Sequence, residues 1–353
     1  MKDIRRYFLI TLLVCLIPYK SFAWGGRGHH LICDAATFLV KNEKLRQFLT
    51  ARPQVMGHLC NVPDIHWRAL SSEQTSKGNP GHYIDVEIID LNISQIPLDY
   101  KALVKTYQDT ENKKKPGVKI KNFASEFGSL WWRADQFYRR AIEFGKQIHE
   151  AAPPKGYGEQ QDPNLKFNQV IYQMILSMGV MGHFVGDASQ PFHATYDYDG
   201  YGRGHGGIHG FYEDEGVNIQ DAHLISEVVT AAKKLQGGKI DFLLAGSVIE
   251  KMKALSSISQ KEIEAIYAID PIIKESSIVN KEGKEVKMPA ERKSIKNVGA
   301  KFKPMIVSQM ARSAALLAKM WDEVFEKSDS PDLAPYQSYQ YPFTPEFVPP
   351  DYL

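Results

Sequence analysis

The chain has 353 residues, with 43 Lys and Arg against 41 Asp and Glu, a formal net charge of +2. Residues 1–23 hold four of the basic residues and one of the acidic ones, so a chain beginning at residue 24 carries 39 basic and 40 acidic side chains. With that balance the sequence declares no basic face large enough to grip a polynucleotide by its phosphates, although a cluster of bound cations would draw anions without one.

In chain order, residues 1–23 read as a secretory signal peptide. Lys2, Arg5 and Arg6 form a basic start, residues 8–18 an apolar stretch, and Ser21-Phe22-Ala23 a small-residue cleavage site. About eleven apolar residues are too few to span a bilayer. Val14 before Cys15 is not the small residue that a lipidation site takes. The reading predicts export to the periplasm or outside the cell, and a mature chain that begins at Trp24. Processing would create a free α-amino group there, which can chelate a metal together with its own carbonyl.

Trp24-Gly25-Gly26-Arg27-Gly28-His29 follows, and His29 opens an apolar-periodic helix over residues 31–49. His29 and His30 are adjacent, so on a helix both cannot face one site; spacing alone does not choose between them. Outside residues 1–23, Cys33 and Cys60 are the remaining cysteines. Two cysteines in an exported chain predict one disulfide, Cys33–Cys60. Residues 82–89 (HYIDVEII) alternate like a strand but suit an extended connector equally well.

Further helices are predicted at 122–151, 167–187, 223–235, 241–269 and 305–325. That at 167–187 is so uniformly apolar that burial on most sides is expected. Residues 271–297 are polar and lysine-rich, a surface insertion or hairpin. Residues 328–353 contain six prolines among several tyrosines and are expected as an extended tail. The architecture expected is all-α: a single multi-helix domain over 24–327 followed by the tail at 328–353.

The segment 183–213, HFVGDASQPFHATYDYDGYGRGHGGIHGFYE, carries the chemistry. His183 and Asp187 are four apart, as are His209 and Glu213, so each pair projects from one helix face. One such pair is ordinarily a surface hydrogen bond. Two pairs with His193 between them, beside a Gln190-Pro191 helix stop, point to imidazole and carboxylate ligands for more than one metal. Asp64, after Pro63, and His82, after Gly81, complete the candidate set.

An N-terminal Trp within WGxxGH, then Asp64, GHYID, HFxGDxxQPxH and a final HxxxE resemble one superfamily. It is that of the trinuclear-zinc bacterial phospholipases C and the single-strand-specific zinc nucleases, and the resemblance covers most of residues 24–215. Carried over residue by residue, it implies three zinc ions. Asp64, His82, His183 and Asp187 would hold the first, and His193, His209 and Glu213 the second. Trp24, through its amino nitrogen and carbonyl oxygen, would hold the third with His29 and Asp187. Asp187 thus bridges two ions, and the spacing from Trp24 prefers His29 over His30.

The opening WGGRGHH resembles the nucleases. Gln190-Pro191-Phe192-His193-Ala194, the short interval to His209 and the closing Tyr212-Glu213 resemble the phospholipases. The activity implied first is therefore a secreted phospholipase C cleaving phospholipids through a metal-bridged hydroxide, with transient contact at a membrane surface. A single-strand endonuclease acting on DNA or RNA is the second reading, and a zinc-dependent binding protein with little turnover is a distant third. Asp187, as bridge, and Asp85 or Asp199, orienting the nucleophile, are the candidate catalytic carboxylates. Arg68 or Arg203 would hold a phosphate oxygen. Trp67, Tyr196, Tyr198, Tyr201 and Phe211 would cradle a quaternary ammonium or stack an unpaired base. A monomer is expected.

Overall fold

The computed structural model describes residues 24–52, 54–236, 238, 243, 245–281, 284–338 and 345–353. The signal peptide expected at 1–23 lies outside the described residues. The principal helices are α1 (Gly25–Thr37), α2 (Glu43–Thr50), α3 (Val55–Cys60), α4 (Val62–Ile65), α5 (Leu130–Gln147), α6 (Lys166–Ser189), α7 (Leu224–Leu235), α8 (Val248–Gln260), α9 (Ile263–Ile269) and α10 (Gly299–Lys327). The protein is mainly helical, as its sequence periodicity predicts. Among the described residues no helix is long and apolar enough to cross a membrane.

α6 is the axis of the molecule. Every residue of it from Met174 to Ser189 is buried, because α5 runs along one side while α1, α3, α8 and α10 pack around the rest. Three glycines allow two of these helices to come unusually close. A β-carbon on Gly179 would stand 2.4 Å from the Leu59 side chain, one on Gly182 2.3 Å from Cys33 Sγ, and one on Gly186 2.7 Å from His29 Nδ1. At this crossing Cys33 and Cys60 converge, but as free thiols and not as the expected disulfide. Burial pushes both thiols above their ordinary range, which withholds the thiolate that disulfide formation requires.

Several predicted helices are divided. The stretch 31–49 breaks after Thr37, because the Asp322 carboxylate accepts from Lys41 N and Asn42 N, both at 2.9 Å. Asn42 then caps α2 by accepting from Leu45 N. The stretch 122–151 breaks at Gly128, whose φ of +87° and close approach to Tyr83 O admit no side chain; Phe123–Phe127 and α5 lie either side. The stretch 241–269 begins instead at Val248, where Ser247 and Glu250 form a reciprocal capping box, and it divides again between α8 and α9. α10 starts at Gly299, earlier than the predicted 305.

Residues 82–89 are a connector. Short 3₁₀ turns at Asn79–His82 and Val86–Ile89 flank an extended piece in which Ile84 bridges Gly128. The insertion at 271–297 folds as two small antiparallel pairs. β1 (Ile272–Lys274) joins β4 (Glu291–Arg292), and between them β2 (Ser277–Lys281) joins β3 (Lys284–Met288) with Val279 opposite Val286. The described residues of the tail contain no helix or strand.

Candidate metal centre

α6 delivers His183 and Asp187 from one face, with His183 Nε2 3.4 Å from Asp187 Oδ2. The turn before His82 brings its Nδ1 to 3.0 Å from His183 Nε2 and 3.1 Å from Asp187 Oδ2. α4 supplies Asp64, whose Oδ1 lies 3.7 Å from His82 Nδ1 and 3.8 Å from His183 Nε2. α1 supplies His29, its Nε2 3.3 Å from Asp187 Oδ1 and its ring stacked on that of His183 at 3.9 Å. His30 points elsewhere and pairs with Asp34 at 3.1 Å, so of the two adjacent histidines it is His29 that reaches the cluster.

The helix stop at Gln190-Pro191 builds the second half. Gln190 ends α6, and a 3₁₀ turn, Pro191–Ala194, carries His193 back toward the cluster. His193 Nδ1 donates to the His82 carbonyl, a tautomer that leaves its Nε2 lone pair facing inward. That Nε2 is 3.1 Å from His209 Nε2, and His209 Nε2 is 2.8 Å from Glu213 Oε2. Glu213 lies in a π-helical turn, Phe211–Glu215, wider than an α-turn and common at functional sites.

Trp24 closes the arrangement. Its backbone N donates to Glu213 Oε2 at 3.0 Å, and its buried indole donates to Gly186 O at 2.8 Å. Here the geometry differs from the ligand sets implied by resemblance: Trp24 N meets Glu213, while its carbonyl accepts the Gly28 N–H. The donor atoms fall into three groups, each with all members within 4.8 Å of one another: His29, Asp64 and His183; His82, His183 and Asp187; and His193, His209 and Glu213. Ligands about 2.1 Å from a tetrahedral ion stand roughly 3.4 Å apart. These buried groups therefore fit metal ions.

Burial sets the protonation of the cluster. It pushes His193 down to about 3 and His209 down to about 4, and holds His82 and His183 well below their ordinary value. All four rings stay neutral near neutrality, as ligands must. Burial also raises Asp64 to about 7, with Arg68 opposing and Glu213 and Asp214 adding, and raises Asp187 well above the carboxylate range. A buried group of carboxylates in this state is a site that a cation would stabilise.

The signs differ by group. His193 and His209, with folded values below the unfolded 6.5, contribute stability present above pH 6.5 and lost as pH falls through about 4 to 3. Asp64 does the reverse, its contribution present below 3.8 and lost as pH rises through about 7. A cation must displace that proton, so metal-dependent stabilisation should grow between pH 6 and 8. Melting curves of zinc-loaded and chelated protein across that range check this; a difference independent of pH would contradict it.

Sequence reasoning missed several supporting residues. Gln190, read as a helix stop, donates Nε2–H to Glu213 Oε2 at 2.7 Å and so fixes that carboxylate. Arg27 binds the carbonyls of Val217, Gln220 and Asp221, docking the start of α1 beside the Glu213 turn. A glutamine paired to a distant acid leaves no local sequence signal.

Other candidates are placed unevenly. Arg68 is 2.8 Å from Asp64 Oδ1. Arg203 pairs with Glu264 on the open surface, away from the cluster. Asp199 accepts from His209 N at 3.3 Å, and Asp85 is half-buried, its carboxyl raised well above the usual range by desolvation and by the nearby Glu87 charge. Tyr198 is 52% exposed and edge-on to the His209 ring. Tyr196 is half-buried, Tyr201 lies under Lys287, and Phe211 and Trp67 are buried. No protein-family model and no curated protein matches this chain.

Proposed function

We propose that the chain is an exported zinc-dependent phosphodiesterase, foremost a phospholipase C, built on residues 24–327 in the helical fold of the trinuclear zinc enzymes. The observation that carries the reading is the convergence of nine sequence-distant candidates, Trp24, His29, Asp64, His82, His183, Asp187, His193, His209 and Glu213, in one buried cluster centred on Asp187. Zinc bound there would supply Lewis acidity and a water of lowered pKa. The chain's own residues do the rest. Asp187 offers one oxygen toward His29 and the other toward His82 and His183, the posture of a bridging carboxylate. The His193 tautomer and the Gln190–Glu213 bond hold the second half in place. Asp199, which accepts the His209 backbone N–H, or Asp85 would orient the nucleophile.

The closing Glu213 and short His193–His209 interval favour a phospholipid substrate. The exposed face of Tyr198 beside His209 suits a base and keeps the single-strand nuclease reading in play. Incubating mature protein with phosphatidylcholine and with single-stranded DNA, each with and without chelator, decides between them. Hydrolysis of phosphatidylcholine that the chelator abolishes is expected; cleavage of DNA instead would transfer the reading to the nuclease branch. Failure on both would leave an occupied site without turnover. The chelator should also lower the melting temperature, because the ligands join segments from Trp24 to Glu213.

A further inference from the structure

Asp64 and His82 sit on weak supports. α4 has four residues, and so has the 3₁₀ turn that ends at His82. Turns this short do not persist in water by themselves, whereas His183 and Asp187 ride on the wholly buried stretch of α6 from Met174 to Ser189. Something else must hold the two short elements, and the C-terminal residues 345–353 touch residues that flank both, Trp67 after α4 and Gly78 before the His82 turn.

Trp67, less than one turn beyond Asp64, donates Nε1–H to Pro345 O at 3.1 Å and receives the Phe347 ring edge-on at 5.4 Å. Phe347 also lies against Gly78, immediately before the His82 turn, 3.2 Å from where a β-carbon would stand. Behind His82 is Arg133 of α5, 1% exposed, its stem pressed on Gly81. The Arg133 guanidinium lies 5.6 Å from the Trp67 ring and 5.7 Å from that of Phe347, and it donates to Val348 O at 2.5 Å. Farther along, Gln136 donates to Pro349 O at 2.7 Å, both Arg139 terminal nitrogens meet Asp351, and the Tyr352 and Ser129 hydroxyls are 2.9 Å apart. A cavity of only about 10 Å³ remains between these parts, lined by Pro63, Trp67, Arg68, Gly78, His82 and Arg133. The two ligand-bearing turns are thus packed with almost no free space, and lifting the strap removes contacts on which they rest.

We propose that residues 345–353 form a strap that sets the metal affinity of the Asp64–His82 arm, with Arg133 as the positioning residue through which it acts. The inference rests on the metal-centre reading and is independent of the substrate. Orientation of ligands by the residues behind them is worth about 10- to 100-fold in metal affinity. A tail that merely added stability would instead shift the melting of chelated and loaded protein alike.

The test compares wild type, a chain ending at residue 344, Phe347→Ala and Arg133→Lys, with Lys274→Gln on the surface insertion as the exposed control. Zinc content is measured by elemental analysis and zinc affinity by competition with a chromogenic chelator; melting temperature is followed with and without chelator. One ion bound 10- to 100-fold more weakly in the first three variants, the others retained and Lys274→Gln unchanged, is expected. If the shortened chain does not fold, Phe347→Ala and Arg133→Lys carry the test. Zinc affinity indifferent to all of them overturns the strap alone. A wild type that binds no zinc overturns the metal-centre reading and the strap with it.

Discussion

Asp187→Asn should lose more than one zinc and reduce turnover by about a thousandfold or more. Both Asp187 oxygens are engaged: Oδ1 is 3.3 Å from His29 Nε2, and Oδ2 is 3.1 Å from His82 Nδ1 and 3.4 Å from His183 Nε2. The amide removes the charge and turns one acceptor into a donor in a wholly buried place. Several kcal/mol of charge stabilisation is at stake, and each ~1.4 kcal/mol is a factor of about ten in rate. Glu213→Asp should be milder, since the ligand type survives and only one methylene is withdrawn. Elemental analysis beside kinetics separates the cases, and full zinc content in Asp187→Asn would disprove the bridge.

The second large effect concerns the start of the chain. Trp24 N points at Glu213 Oε2, and the indole is anchored independently by Gly186 O and Ser189 Oγ. Protein with an extra residue before Trp24 should therefore fold, because the indole contacts persist, but an amide nitrogen replaces the amine as the group facing the cluster. The expected product holds about two zincs. With one of two cations that would stabilise the reacting charge gone, several kcal/mol are at stake, and turnover should fall about a hundredfold or more. Native export should yield Trp24 as its first residue by mass spectrometry. An extended form as active as the native one would remove Trp24 from the site.

The sequence was most readable where one element supplies several ligands. His183 and Asp187 on α6, and His209 with Glu213 on its π-turn, could be paired from spacing because a helix brings residues four apart together. Asp64 and His82 could be named but not joined, since their approach depends on α4 and a 3₁₀ turn folded against distant helices. The preference for His29 over His30 came from resemblance; the structure supplies a physical reason in the Gly186 crossing that His29 occupies. Helix interruptions were legible in retrospect at Asn42 and Gly128, where a cap and a left-handed glycine override apolar periodicity. Asp322, which enforces the first of them, is 280 residues away from Asn42 and gives no local sign.

The bare face of α6 at Gly179, Gly182 and Gly186 bears on when order is acquired. The Leu59, Cys33 and His29 side chains seat directly on this bare face, so His29 and the α3 segment leading to Asp64 are brought against α6 during folding. The entropy of gathering those ligands is thus lost before a cation arrives, and much of the binding energy remains available for affinity. Uptake then becomes a question of access and deprotonation more than of rearrangement, and a rigid enclosure discriminates among ions by the size and coordination it permits.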